Sequence, residues 1–280
     1  MNSRNLTEEQ IADFKDNLIC NERSPATVEK YLRDITAFSD WNGEWVTKER
    51  VIEYKKHLQE SGYAVRSINS MLAALNSLFA YLGWQELRVK SMKVQHQPFC
   101  PAEKELTREE YERLCRTAKQ KKRTRLLLIL QTICGTGMRV SELRYITAEA
   151  VSSGRAVVSL KGKTRTIFLV KDLQKKLTAY LRTRGITTGP VFLTRNGLPM
   201  SRTEIWREMK SLCAAAKVEP EKVYPHNLRH LFARVFYGIE KDIAKLADIL
   251  GHSSINTTRI YIISTGTEHR QRMERMRLII

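Results

Sequence analysis

The residues best equipped for chemistry stand between Pro225 and Tyr261. One run reads P-H-N-L-R-H-L-F-A-R, Pro225–Arg234, and a second reads L-G-H-S-S-I-N-T-T-R-I-Y, Leu250–Tyr261. His226, Arg229 and His230 fall at i, i+3 and i+4, so one helical face presents all three. Pro225 suits a helix start, while Leu228, Leu231, Phe232 and Phe236 supply a buried side. Gly251 follows the apolar run Ile243–Leu250 as a helix stop, leaving His252 just beyond it. Far upstream, Arg139 follows the Gly135-Thr136-Gly137 turn and is flanked by Met138 and Val140. An arginine so close to a core is costly unless its guanidinium meets an anion, and Glu142 at i+3 is a candidate. Lys161, Lys163 and Arg165 gather around Gly162 between two β-rich runs, as at a hairpin tip.

Two arginines, three histidines, one or two lysines and a tyrosine, with no paired carboxylates, suit transfer of a phosphodiester without metal. Arg139 and Arg229 would hold the two non-bridging oxygens, whose charge grows in the transition state. Tyr261 offers a hydroxyl that a cationic pocket and a base could activate as nucleophile. A lysine on the hairpin would protonate the departing sugar oxygen, and histidines move protons near neutrality. A covalent phosphotyrosine would keep the energy of the broken bond, so rejoining needs no ATP and no cofactor is expected. The competing reading is a zinc site of His226, His230 and His252. Arg229 between the first two opposes a second cation, and no carboxylate is obvious as an orienting partner.

Elements to position these groups are legible along the chain. The 280 residues are 42% hydrophobic and 28% charged, with material for one large domain or two ordinary ones. No apolar run approaches the roughly 20 residues of a membrane span, and the first residues lack the apolar stretch of a signal peptide. A cytoplasmic protein is expected, its five cysteines being buried thiols in a reducing compartment. Formal charge is +18, unevenly spread: residues 1–100 hold 13 basic and 13 acidic groups, leaving 35 and 17 to residues 101–280. Such a field favours a polyanion, most plausibly nucleic acid.

Helices are expected over Leu6–Leu18 with Thr7 as cap, from Ser24-Pro25 onward, over Val51–Gln59 with Thr47 as cap, and over Ser67–Leu82. Together they make a four-helix module of residues 1–90. Ser24, Thr27, Lys30, Lys55, Lys56, Arg66, Ser67 and Asn69 are its candidate phosphate or groove contacts, each also readable as plain surface. Residues 91–104 read as a linker, and residues 105–280 as a second domain with a C-terminal tail. Thr107 and Glu110 form a capping box. Leu126–Cys134 should be a central buried helix stopping at Gly135-Thr136-Gly137, with another helix beginning at Met138. Strands are expected over Arg155–Leu160 and Thr166–Val170, and a short one over Gly189–Leu193. Helices follow over Asp172–Leu181 and Arg202–Ala216, the second capped by Ser201. The basic tail Thr267–Leu278 is helical in pattern and brings apolar Met273, Met276, Leu278, Ile279 and Ile280 to the chain end.

The sequence closely resembles the tyrosine recombinases, the phage-integrase family. G-T-G-M-R-V-S-E-L (Gly135–Leu143), K-G-K-T-R (Lys161–Arg165), H-N-L-R-H (His226–His230) and L-G-H-S-S-I-N-T-T-R-I-Y (Leu250–Tyr261) carry the likeness in order and spacing. S-P-A-T-V-E-K-Y looks like part of the family's core-binding domain, so the likeness spans almost the whole chain. It implies a mainly α fold: a SAM-like four-helix domain plus an α+β catalytic domain with a small antiparallel sheet. It also implies that Arg139 and Arg229 bind the phosphate, Tyr261 attacks it, His226 is the general base, and His252 is the second histidine beside the phosphate. Lys161 best fits the family's acidic lysine. The hairpin is about two residues shorter than usual, which keeps Lys163 as an alternative, and Phe168 stands where proline is more usual. Nothing essential to the family's set is missing.

By the same resemblance, two domains close as a C-shaped clamp on duplex DNA bearing an inverted-repeat site. Four protomers exchange strands through a Holliday junction, their tails docking on neighbouring subunits. An accessory DNA-bending or directionality protein could assist. With no extra N-terminal arm-binding domain expected, the chain resembles compact Xer-like or transposon-borne members, associated with the nucleoid. Two other readings stand beside this one. A type IB topoisomerase would share the chemistry as a monomer, and a non-catalytic DNA-binding module would explain only the charge.

Overall fold

The computed structural model describes residues 4–43, 45–93, 104–160, 163–262, 270 and 273–276. The chain divides into two compact units, Met1–His96 and Gln97–Ile280. Most of the stretch read as a linker, residues 94–103, lies outside the described residues.

In the first unit, β1 (Arg4–Asn5) precedes α1 (Glu8–Cys20) and α2 (Pro25–Asn42). Then come β2 (Trp45–Val46), α3 (Lys48–Glu60) and α4 (Val65–Tyr81), with a 3-10 turn at Gln85–Leu87. Local chemistry sets the starts: Thr7 and Gln10 make a capping box, Ser24 caps ahead of Pro25, and Thr47 accepts from the Arg50 amide. α4 begins two residues before Ser67, behind Ala64, without a side-chain cap. The two-residue β1–β2 pair, antiparallel, was not foreseen. Phe14, Ile35, Phe38, Leu72, Leu75 and Phe79 fill the core. Several of the candidate groove residues turn to internal partners: Ser24 and Thr27 bond each other through their hydroxyls, and Lys56 pairs with Glu60. Lys30 meets buried Asp34, Lys55 donates to the Lys90 carbonyl at 2.9 Å, and Asn69 bonds both backbone groups of Met92.

The second unit opens with α5 (Arg108–Gln120), behind the Thr107–Glu110 capping box, and α6 (Thr124–Thr136). A 3-10 helix (Val140–Tyr145), α7 (Ala148–Ser153), β3 (Arg155–Leu160), β4 (Lys163–Phe168) and α8 (Lys171–Arg184) follow. The chain continues through α9 (Arg202–Lys210), α10 (Cys213–Ala216), α11 (Pro225–Glu240), α12 (Ile243–Leu250) and α13 (Ile255–Arg259). α6 is the central helix: Leu126, Ile129, Leu130 and Ile133 are buried, and it lies against α5, α8 and α11.

Several elements depart from expectation. α6 runs through Gly135 and stops at Gly137, whose left-handed φ of 66° ends the helix. The segment after it is a 3-10 helix. Gly189–Leu193 is not a strand, since Pro190 and Leu193 make only isolated bridges, to Thr147 and Pro199. The helix begun at Ser201 breaks after Lys210 into the separate α10. In the hairpin Leu160 pairs with Lys163, and the two residues between them, Lys161 and Gly162, lie outside the described residues. Arg165, placed at the tip by sequence, instead pairs with Val158 within the ladder. Cys20 is exposed, unlike buried Cys213. The tail lies mostly outside the described residues, though Met273 and Met276 are exposed. Among the described residues no helix is long and apolar enough to cross a membrane.

Gly137 also meets a steric demand. A Cβ there would lie 2.3 Å from Phe232 Cδ1 and 3.0 Å from Leu250 Cδ2, because α11 and α12 close directly on the end of α6. Gly185 has a similar φ of 64° but open space around it. Gly185→Ala should therefore cost only backbone strain, about 1 kcal/mol. Gly137→Ala should add an overpacking cost of about 1–3 kcal/mol. Urea denaturation of both variants checks this, and equal losses would mean that Phe232 yields without cost.

Candidate active site

α11, the end of α6, and the α12–α13 corner converge on one place. The first turn of α11 brings His226, and its second brings Arg229 and His230. The 3-10 helix after Gly137 brings Arg139 and Glu142. Gly251 closes α12 in the left-handed conformation, and the His252 amide bonds back to the Ala247 carbonyl at 2.9 Å. α13 then carries Thr258 and delivers Tyr261, whose amide bonds the Thr258 carbonyl at 2.9 Å.

Arg229 is the most constrained of these residues, at 1% exposure. Its Nη1 donates to the Gly137 carbonyl at 2.6 Å and its Nη2 to the Leu250 carbonyl at 2.8 Å. Those carbonyls end α6 and α12, so two helix C-termini turn their negative poles toward the buried cation. Its Nη2 also lies 2.8 Å from His252 Nε2. Burial, then the Arg139 charge, lowers the guanidinium to about 10, which still leaves it charged at neutral pH.

Arg139 sits at the rim with its side chain 40% exposed. Its Nη1 donates to Glu142 Oε1 at 3.0 Å and its own amide to Oε2 at 2.7 Å. Glu142 is 1% exposed and also accepts from Arg165 Nη2 at 2.6 Å, while Arg165 Nη1 bonds the Ile249 carbonyl. Burial acts to raise the Glu142 carboxyl, but the Arg139 amide and the Arg165 charge outweigh it and hold it below 4.5. Arg139 and Arg165 thus share one carboxylate while Arg229 is not bonded to it, leaving the site positive and suited to an anion.

Tyr261, 7% exposed, lies among imidazoles. His230 stacks on it at 4.2 Å between ring centroids, His226 meets it edge-on at 5.2 Å, and His252 tilts against it at 5.1 Å. The Arg229 guanidinium carbon is 5.6 Å from the ring centroid. All three imidazoles are held below their usual range. Burial, reinforced by His226 and nearby arginines, brings His230 to about 4, and burial with Arg229, Arg139 and Arg165 brings His252 to about 4. His226 is lowered by partial desolvation and by Arg229 and Arg139. Neutral imidazoles can accept protons or hydrogen bonds at pH 7.

Arg139, His226, Arg229, His252 and Tyr261 are therefore brought together. Lys161 lies outside the described residues, and only the backbone of Lys163 is described, opposite Leu160. A cleft of about 640 Å³ opens beside the site between Arg139, Ser141, Arg202, Trp206 and His226. Among the described residues no three His, Cys, Asp or Glu side chains are gathered to hold a metal. Sequence reading missed the inward role of Arg165, although alternation along β4 puts it on the same face as buried Ile167. It also passed over Thr258, fully buried against His252, and Arg202 and Trp206 at the cleft.

The chain belongs to the phage integrase family. The family's profile matches residues 104–268, and that of the phage integrase N-terminal SAM-like domain matches residues 11–86. Within the family it is an Xer-like tyrosine recombinase. It is 31% identical to tyrosine recombinase XerA of Thermococcus kodakarensis, over 97% of this chain and 96% of that one. Its identity to tyrosine recombinase XerD of Vibrio cholerae is 28%, over 84% of each chain. Solved structures share the fold. One is XerA recombinase (TM-score 0.55, 24% identity, covering 98% of this chain and 100% of that one). Another is XerH bound to its difH substrate before cleavage (0.68, 20% identity, 95% and 84%). A third is a lambda integrase tetramer bound to a Holliday junction (0.72, 17% identity, 92% and 78%).

Two consequences of the electrostatics are measurable. Unfolded histidines take up protons near 6.5, whereas His230 and His252 resist until about 4. Stability should be fully present above 6.5 and fall as pH drops toward 4. Urea midpoints at pH 7.5 and 5 should show that loss, and His230→Gln should flatten it; a flat wild-type profile would refute the assignment. Glu142→Gln strands two arginines and should destabilise the second unit by about 3–5 kcal/mol, read by the same denaturation.

Proposed function

We propose that the protein is a site-specific DNA recombinase that cuts and rejoins strands through a covalent 3′-phosphotyrosine. The observation that carries this reading is the convergence of Tyr261 with Arg139, Arg229 and neutral His226 and His252 on one positively charged position. In the proposed step the Tyr261 oxygen attacks phosphorus and the bond from phosphorus to the 5′ oxygen breaks. The tyrosine proton passes to His226, and the 5′ oxygen takes a proton from Lys161. Arg139 and Arg229 hold the non-bridging oxygens as charge builds on them, with His252 beside them. A 5′-hydroxyl attacking the phosphotyrosine reverses the step, so rejoining needs neither metal nor ATP. Lys163 is the alternative acid.

The relatives' assemblies support the wider scheme. Since a lambda integrase tetramer binds a Holliday junction and XerH binds difH, a tetramer on an inverted-repeat DNA site is proposed here too. Its tails, residues 267–280, would dock on neighbouring protomers, with an accessory DNA-bending or directionality protein as a possible partner in the cytoplasm. Integration, excision and dimer resolution would then differ only in the arrangement of sites.

Covalent trapping tests the reading. Wild type and Tyr261→Phe are incubated in EDTA with nicked duplexes carrying sequences that flank the gene. An SDS-stable, protease-sensitive adduct is expected from wild type alone. An adduct from Tyr261→Phe overturns the nucleophile, and no adduct from wild type overturns the reaction. Lys161→Ala should slow cleavage by about 10²-fold or more and recover when sulfur replaces the 5′-bridging oxygen, because a thiolate leaves unprotonated. The same pattern in Lys163→Ala instead would move the acid there.

A further inference from the structure

His252 is bonded on both sides of its ring. Nε2 lies 2.8 Å from Arg229 Nη2, and Nδ1 lies 2.9 Å from Thr258 Oγ1. A guanidinium has only donors, so Nε2 must present its lone pair. In a neutral imidazole the proton then sits on Nδ1 and is donated to Thr258. The Thr258 hydroxyl lies on a residue with 0% exposure, on the short helix that leads into Tyr261.

We propose that Thr258 is a positioning residue for the phosphoryl-transfer step: by accepting the Nδ1–H of His252, it fixes the tautomer that turns Nε2 toward Arg229 and the anion position. The proposal rests on the reaction described above and adds to it a residue that touches neither phosphate nor nucleophile side chain. When a phosphate oxygen takes the Arg229 Nη2 hydrogen, Nε2 loses its donor and faces the anion with a lone pair. The negative charge of the bound phosphate favours uptake of a proton from bulk solvent at Nε2, which makes it a donor to that oxygen while Thr258 continues to accept at Nδ1. The groups facing the ring are Arg229 and His226 from α11, Arg139 from the segment after α6, Arg165 from β4, and Tyr261. Without the Thr258 acceptor, a half-buried Nδ1–H loses its partner and this tautomer loses what holds it.

Thr258→Val keeps the shape and removes the acceptor, whereas Thr258→Ser keeps the acceptor and removes a methyl. Cleavage of the nicked duplex by Thr258→Val should fall about tenfold or more, the scale on which orienting partners of a functional histidine act. Binding to the same duplex should be unchanged, and Thr258→Ser should retain most of the cleavage rate. A purely packing role reverses that order, with serine the worse of the two. In the full-length protein labelled with ¹⁵N-histidine, the His252 signal, assigned by its loss in His252→Gln, should show Nδ1 protonated and Nε2 bare, and the Thr258→Val variant should lose that signature. A valine variant that cleaves as well as the serine variant, or a wild-type His252 protonated at Nε2, overturns the proposal while leaving the reaction intact. Absence of any wild-type adduct overturns the reaction instead, and with it the role proposed for Thr258.

Discussion

A single guanidinium, that of Arg229, joins the elements on which the catalytic unit is built. Its charge sits where solvent barely reaches, and burying a lone cation there would be prohibitive. The fold offsets the cost with the last carbonyls of α6 and α12, two groups that helix ends leave without partners and that carry partial negative charge. This arrangement requires both helices to stop in the right place. Gly137 and Gly251 provide the stops in left-handed backbone conformations, and α11 brings the arginine between them. Cation, caps and helix packing are therefore one constraint rather than three.

The second constraint is charge balance. Glu142 answers Arg139 and Arg165 but does not reach Arg229, which meets carbonyls, a neutral imidazole and Tyr261 instead. The deficit of negative charge is local and follows from geometry, not merely from the +18 of the chain. Burial, reinforced by the same excess, keeps the surrounding histidines unprotonated, so the site holds acceptors for protons beside donors for an anion. A phosphodiester attacked by a hydroxyl, the one anionic and the other giving up a proton, would match both.

Much of this was legible in the sequence because it depends on short-range rules. Caps at Thr7, Ser24, Thr47, Thr107 and Ser201, the Pro225 start and the Gly251 stop all follow from residue type and position. The i, i+3, i+4 spacing of His226, Arg229 and His230 likewise anticipated a shared helical face, though not that Tyr261 would lie against it. What escaped was set by tertiary contact. Lys30, Lys55 and Asn69 look like surface residues until their partners 4 to 40 positions away are known. Arg165 looked like a hairpin-tip residue because residue type does not show that strand pairing continues as far as Lys163. Thr258 carries no signal of its own, since a buried threonine matters only through the ring it meets.

The placement of Tyr261 has a consequence for mixed assemblies. The tyrosine is seated on His230 of its own chain, within reach of its own Arg229. With the roles proposed for Tyr261 and Arg229, nucleophile and phosphate-holding group would travel together in every copy. A protomer lacking the tyrosine and one lacking the arginine each carry a broken half-site, and pooling them restores neither. Genetic complementation between such alleles is expected to fail even where the two proteins associate freely. In the proposed tetramer, control over which strand is cut would then come from neighbours permitting or withholding a complete site, not from lending a missing part.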